Sequence, residues 1–342
     1  MKIALDATYS LGDALSGVGV YSRELLQGLA ATDFAERWEW FYRSQRYWRA
    51  LRMQMPGNVT ARLLTDTWGS RSANLFHGLN QRLPRKPFRR QIATFHDLFV
   101  LSGDYSTPDF RERFAAQARY AAAGADMILA VSEFTASQVA GLLGYPRSRI
   151  RVVHHGVIPR IVPRVPRANV VLCVGAIQRR KNQAALVRAF RAMPENWELV
   201  LAGSRGFAAD ETLEEIERSP CASRIRVTGY LPESEIAAWY GRAKIFAFPS
   251  LDEGFGMPVL EAMAAGLPVI SSNRAAMPEV AGDAALLIEP EREDDLAEAL
   301  KTLAEDEDRR ERMSVSGKAH SARFTWERAV RETLQTYREV LS

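Results

Sequence analysis

The chain has 342 residues, of which 47% are hydrophobic and 25% charged, with a formal net charge of +4. That length predicts about two domains of ordinary globular composition. No apolar run approaches a membrane span, the start Met1-Lys2-Ile3-Ala4-Leu5-Asp6 turns polar too soon for a secretory leader, and Cys173 and Cys221 are too few for a disulfide framework or a zinc site. The expected compartment is therefore the cytoplasm. The cations are nearly all arginine, which suits bidentate phosphate contacts, and no motif points to nucleic acid.

In chain order, Ile3–Asp6 reads as a first strand. A loop containing Ser16-Gly17-Val18-Gly19-Val20-Tyr21 follows, and a helix from about Tyr21 to Leu29. Gly17 and Gly19 between strand and helix suggest approach of a phosphate. The dinucleotide fingerprint is disfavoured, because Ser22 stands at its third glycine and the loop is too long for its tight turn. Trp38–Tyr42 reads as the second strand. The aromatic and arginine-rich segment Arg43–Met55 is expected to be one amphipathic helix on the sheet, with a membrane surface as the alternative. Asn74–Gly78 is a short strand. Arg82, Arg85, Lys86, Arg89 and Arg90 crowd a proline-bearing loop, either solvated or facing an anionic acceptor or lipid headgroup. Gln91–Phe95 is a strand that delivers His96-Asp97 to its carboxyl end, the edge where open α/β sheets bind ligands. A helix at Pro108–Ala123, a strand at Met127–Val131, a Ser132-capped helix at Glu133–Leu143 and a last strand at Arg149–His154 complete the first half.

Pro159 to Arg167 carries three prolines without periodicity and reads as a linker. Asn169–Gly175 then opens a second sheet. Arg179-Arg180-Lys181 precede a helix through Phe190, at a strand's carboxyl end. Trp197–Ala202 ends at Gly203. Arg224–Thr228 closes with Gly229-Tyr230-Leu231, and Glu233–Tyr240 is helical. Lys244–Ser250 is a buried strand, and Glu253-Gly254-Phe255-Gly256-Met257-Pro258-Val259-Leu260-Glu261 follows it. Here Pro258 suits the first helical position and Gly266 the position just past the end. The amides near Phe255, Gly256 and Met257 then form an anion site at a helix N-terminus, flanked by Glu253 and Glu261. Asn273–Glu279 is expected to be a loop. Helices at Glu293–Leu303, Asp308–His320 and Thr325–Leu341 end the chain, with Asp306-Glu307-Asp308 a solvated turn between two of them.

The string from Glu253 to Glu261, continued by Ala262-Met263-Ala264-Ala265-Gly266, resembles the two-glutamate motif of the retaining, nucleotide-sugar-dependent glycosyltransferases known as group 1 or family four. The resemblance implies the α/β GT-B architecture: two Rossmann-like domains facing across a cleft. The acceptor-side domain would span 1–158, the donor-binding domain 168–324, and the helix at 325–342 would cross back to the first. It implies that Arg180 and Lys181 hold the donor diphosphate, that Glu253 grips the transferred sugar and Glu261 the ribose, and that His96 borders the reacting carbon. Gly17, Gly19, Gly175, Gly203, Gly254, Phe255, Gly256 and Met257 would line the donor, with Tyr230 and Leu231 beside its base. The sequence departs from the family at Ala176, where some relatives carry an arginine, and at His155, where asparagine is usual. His155 is given no role.

No covalent nucleophile stands out, so a same-face displacement is implied, with no metal and no cofactor; the nucleoside diphosphate sugar is a substrate. GDP-mannose is the first expected donor. The expected acceptor is a saccharide or lipid-linked hydroxyl, with peripheral membrane contact as a further expectation. Three other classes compete: a glycosidase, which would need only paired carboxylates; a sugar phosphorylase resembling pyridoxal-phosphate enzymes; and a catalytically silent nucleotide-sugar-binding relative.

Overall fold

A strand buried on both faces must alternate its side chains between two cores, and β1 (Lys2–Asp6) does so. Ile3 and Leu5 join one apolar cluster with Leu25, Leu29 and Trp38. Ala4 joins another with Phe76, Phe95, Ala118 and Val139. The computed structural model describes residues 1–12, 15–67, 71–159, 162–163 and 165–342. Residues 160, 161 and 164 of the expected linker lie outside the described residues, as do 13 and 14 of the first glycine-bearing loop. The chain divides into two compact units, Met1–Gly156 with Thr325–Ser342, and Val157–Phe324.

Among the described residues the first unit has a parallel sheet in the order β3-β2-β1-β4-β5-β6-β7. After β1 these strands are β2 (Arg37–Tyr42), β3 (Val59–Leu63), β4 (Leu75–Gly78), β5 (Gln91–Phe95), β6 (Met127–Ala130) and β7 (Ile150–Val152). The strand order reverses between β1 and β4, which is the switch point of this sheet. The helix Trp326–Leu341 belongs to this unit, and it buries Val330, Leu334 and Tyr337 in the cluster that contains Leu25 and Leu29.

The second unit repeats the plan in the order β10-β9-β8-β11-β12-β13. Its strands are β8 (Val170–Val174), β9 (Glu198–Ala202), β10 (Ile225–Gly229), β11 (Ile245–Phe248), β12 (Val269–Ser272) and β13 (Leu286–Ile288). Here the order reverses between β8 and β11. Both units are thus α/β and Rossmann-like.

Four local expectations need correction. Gly17 and Gly19 lie in the first turn of the helix Gly17–Ala30 rather than in a loop, because the Ser16 side chain accepts from the Gly19 amide and starts the helix early. The segment Arg43–Met55 is helical only at Ser44–Ala50, and Ala50 is the one residue this helix buries. Too few of its apolar residues share one face, and Trp48, Leu51 and Met53 point to solvent. The strand β3 has no counterpart in the sequence reading, since its polar Thr60 and Arg62 mask the period. The loop expected at Asn273–Glu279 becomes helical from Met277, as Met277–Ala281.

Candidate active site

The turn after β8 sorts three adjacent cations. Arg179–Lys181 form a single tight helical turn, closed by Asn182 in the left-handed region (φ 56°). Arg179 turns outward, and its Nε donates to Glu211 at 3.0 Å. Arg180 and Lys181 turn inward to Glu253, which follows β11. Arg180 Nη1 lies 2.9 Å from Glu253 Oε1, and Lys181 Nζ pairs with the same oxygen. Ser250 Oγ donates to it at 2.7 Å. Arg180 also donates to the Asp252 carbonyl, and the ammonium of Lys181 sits 4.5 Å over the Phe248 ring. The cluster therefore stands at the carboxyl ends of β8 and β11, the switch point where ligands of such sheets bind.

Burial opposes every charge in this cluster. For Glu253 desolvation raises the pKa, but Arg180, Lys181 and the hydrogen bonds from Lys181 and Ser250 outweigh it and hold the carboxyl at about 2. For Lys181 desolvation lowers the pKa; Glu253 opposes this and the like charge of Arg180 adds to it, leaving a net lowering. Glu253 is thus firmly ionised, and two cations are concentrated around one anion, an arrangement that favours a further polyanion.

The other predicted donor residues of this unit follow its strands β8 to β11, whereas Gly17 and Gly19 belong to the first unit. Gly203, after β9, runs against the backbone of Gly175 after β8; a Cβ on Gly203 would fall 2.0 Å from the Gly175 carbonyl oxygen. Beyond Glu253 come the buried Gly254 and Phe255. Gly256 then caps the helix Met257–Ala264 with φ 94°, so Pro258 is its second residue rather than its first. No side chain caps that helix; Pro258 has no amide hydrogen and the Val259 amide donates to the Gly256 carbonyl at 3.0 Å, so the amides that can face an anion are those of Gly256 and Met257. A Cβ on Gly256 would strike Met277 Cε at 2.3 Å. Glu261 accepts from the Tyr240 hydroxyl at 2.9 Å. Tyr230 stands 57% exposed beyond β10, with Leu231 half-buried next to it.

In the first unit His96 follows β5. Its Nε2 lies 3.0 Å from the Leu79 carbonyl, so Nε2 carries the proton and donates, and Nδ1 is the acceptor. Burial pushes its pKa down to about 4, against that hydrogen bond. The ring meets the Tyr21 ring edge-on, with centroids 4.7 Å apart. His155, for which no role was expected, is buried beside both, 5.4 Å from His96 and 4.8 Å from Tyr21 between ring centroids. Its one signal in the sequence is its place after β7 at the same sheet edge. Beneath them a buried chain of hydrogen bonds joins Tyr337 to His77 Nδ1 (2.7 Å), His77 Nε2 to Thr94 (2.8 Å) and Thr94 to Tyr21 (2.9 Å).

These histidines predict an acid-sensitive fold. Burial, aided by the charge of His96, lowers the His77 pKa to about 3, and His155 is lowered in the same direction, first by burial. The unfolded chain binds these protons near pH 6.5 and the folded chain does not. The associated stability is complete above pH 6.5 and declines as pH falls toward 4 and 3. For His77 alone the loss between pH 7 and 4.5 should be about 2 kcal/mol. Urea unfolding at the two pH values checks it: the acid-dependent loss should shrink by that amount in His77→Gln, and an unchanged loss would refute the assignment.

Comparison with known proteins agrees with this geometry. The model described as "Glycosyl transferases group 1" matches residues 158–320, and the model "Glycosyltransferase Family 4" matches 65–160. The O-antigen chain mannosyltransferase B of Escherichia coli is 29% identical over 381 residues, covering 99% of this chain and 100% of that protein. The serotype-specific mannosyltransferase WbdA of Escherichia coli is 28% identical over 180 residues, and the match spans only 22% of its length. The solved structure of sucrose-phosphate synthase from Thermosynechococcus elongatus has a TM-score of 0.78 at 20% identity, over 99% of this chain and 98% of that one, so the fold is shared. With two contiguous family matches, a full-length relative and the GT-B fold in agreement, the chain belongs to the group 1 glycosyltransferases.

Proposed function

We propose that this glycosyltransferase moves mannose from a nucleoside diphosphate donor, GDP-mannose in the first instance, to a hydroxyl of a saccharide or lipid-linked acceptor in surface-polysaccharide assembly, with retention of configuration. The observation that carries the reading is the Arg180–Lys181–Glu253 cluster at the carboxyl ends of β8 and β11. The full-length likeness to a protein named as an O-antigen mannosyltransferase supports the choice of sugar.

In this reading a donor-binding domain, 168–324, lies within the second unit, and the acceptor-side domain, 1–158 with 325–342, corresponds to the first. Arg180, Lys181 and the amides at Gly256 and Met257 stabilise the diphosphate as the bond from its terminal oxygen to the sugar breaks. Glu253 accepts from hydroxyls of the sugar while it keeps both cations in place. Glu261 takes the ribose, and Tyr230 and Leu231 border the base. Gly17, Gly19, Gly175, Gly203, Gly254 and Phe255 let the donor approach the backbone. His96, neutral at physiological pH, offers its Nδ1 lone pair beside the reacting carbon. The acceptor oxygen enters on the face the diphosphate leaves, and its hydroxyl proton passes to the departing diphosphate oxygen. The exposed Trp48, Leu51 and Met53, interleaved with Arg46, Arg49 and Arg52, suit a peripheral membrane contact near a lipid-linked acceptor.

No cofactor or divalent metal enters this scheme, because the two cations and the helix N-terminus meet the diphosphate charge. Asp306, the first acid of the sequence Asp306-Glu307-Asp308, instead caps the helix Glu307–Ser321 by accepting from the Arg309 amide at 2.7 Å. Transfer of labelled mannose from GDP-mannose should survive excess EDTA. Asp306→Ala with Asp308→Ala should transfer near the wild-type rate while losing about 1 kcal/mol of stability with the cap. Activity abolished by chelation and restored by magnesium or manganese would overturn the metal-free scheme. Turnover of other nucleotide sugars but not of GDP-mannose would overturn the donor and leave the family intact.

A further inference from the structure

The first unit has a cavity of its own, about 660 Å³ in volume, that the donor scheme does not use. It opens at the carboxyl ends of β1, β2 and β3, and Arg82 reaches it from beyond β4. In the sheet order these four strands are neighbours, so the cavity borders the switch point between β1 and β4. Its size falls in the range of pockets for small organic ligands, roughly 300–1,000 Å³.

Its lining is basic. Arg43, Arg46 and Arg82 contribute three guanidinium groups, and among the described residues Asp66 is the lining carboxylate. Arg43 Nη1 lies 3.2 Å from Asp66 Oδ1, but Asp66 is half exposed, and such a pair exchanges readily for a better acceptor. Arg43 Nε is buried and has no hydrogen-bond partner among the described residues. Arg82 Nη1 reaches the Tyr9 hydroxyl at 3.4 Å, a long contact that leaves donor capacity. Beneath lies Asp6. Burial raises its pKa, against the hydrogen bonds from Thr8 and the charges of Arg43 and Arg82. Ser16 also lines the cavity, at the start of the helix Gly17–Ala30, where the Gly17 and Val18 amides have no intrahelical acceptor.

We propose that this cavity receives a phosphate ester carried by the acceptor, held by Arg43, Arg46 and Arg82. A phosphoryl group fits because it presents several oxygens to planar guanidinium forks together. The volume leaves room for the sugar or alcohol that bears it. The proposal rests on the transferase reading, and it specifies the acceptor as anionic. The phosphate is either that of a soluble sugar phosphate or that of a lipid headgroup.

The test is calorimetric titration of inorganic pyrophosphate, which probes both anion sites. Wild type should show two classes of site. Arg43→Gln with Arg82→Gln should abolish one, and the neutral set Arg180→Met, Lys181→Met, Glu253→Gln should abolish the other. Arg46→Ala, at an exposed position that does not threaten folding, should weaken the first class by about threefold to tenfold. If pyrophosphate binding is indifferent to Arg43, Arg46 and Arg82 in folded variants, the proposal fails. If it is indifferent to the neutral set alone, the donor reading fails and this one stands. Flotation with vesicles of phosphatidic acid in phosphatidylcholine separates the two sources. Flotation lost in Arg43→Gln with Arg82→Gln and competed by pyrophosphate identifies a lipid-borne phosphate. Arginine-dependent pyrophosphate binding without flotation identifies a soluble one.

Discussion

Glu253→Ala should destabilise the protein by about 3–5 kcal/mol, the usual result of stranding buried charge. The carboxylate is the shared counter-ion of Arg180 and Lys181 and the acceptor of Ser250 Oγ. Without it two like charges remain buried side by side. Neutralising the set together, as Arg180→Met, Lys181→Met and Glu253→Gln, should restore stability to near wild type, since a buried ion pair contributes little beyond well-packed neutral groups. That variant should nevertheless transfer no sugar, because no cation is left for the diphosphate. Glu253→Gln alone should lower the transfer rate by about 100-fold or more, on the scale of losing one preorganised electrostatic contact. The pH dependence has a definite sign. The folded carboxyl is held at about 2, below its ordinary 4.5, so its stabilisation is complete above pH 4.5 and disappears as pH falls through 2. Urea unfolding of the variants, with the same series at pH 3, checks these points. Wild-type stability in Glu253→Ala would mean that the cluster is not electrostatically coupled.

Much of this was legible in the sequence, because the strands of both units are apolar runs ended by glycine, proline or a capping residue. Glu133–Leu143 and its Ser132 cap match residue for residue. The failures have local causes. β3 alternates Val59, Ala61 and Leu63 with polar residues over too short a stretch to stand out. The segment after Tyr42 looked amphipathic on composition, yet Trp48, Leu51 and Met53 project outward while only Ala50, Tyr47 and Met55 pack on the core. In the candidate site, spacing placed Arg180, Lys181 and Glu253 at strand ends. The sequence could not show that β8 and β11 are neighbours, and this adjacency brings the three together. It also could not separate Arg179 from Arg180, because the outward turn of Arg179 depends on Glu211 in another helix. His155 escaped notice because its surroundings come from Tyr21 and His96, far away in sequence.

Arg180→Ala and Lys181→Ala should each weaken binding of a nucleoside diphosphate by 1.5–3 kcal/mol, roughly 10- to 150-fold. Arg180 is buried and Lys181 nearly so, and both are held by Glu253 at the end of the β8 turn. A diphosphate arriving there meets cations already positioned, with little side-chain entropy left to lose. Arg179→Ala supplies the control within the same turn. Arg179 is solvent-facing and tied to Glu211, so its removal should leave affinity unchanged. The most direct measurement is calorimetric titration of the nucleoside diphosphate that wild type binds most tightly into wild type and these three variants. The account predicts a loss of at least tenfold for Arg180→Ala and Lys181→Ala, and none for Arg179→Ala. Wild-type affinity in both Arg180→Ala and Lys181→Ala would contradict it and place the donor diphosphate elsewhere on the chain.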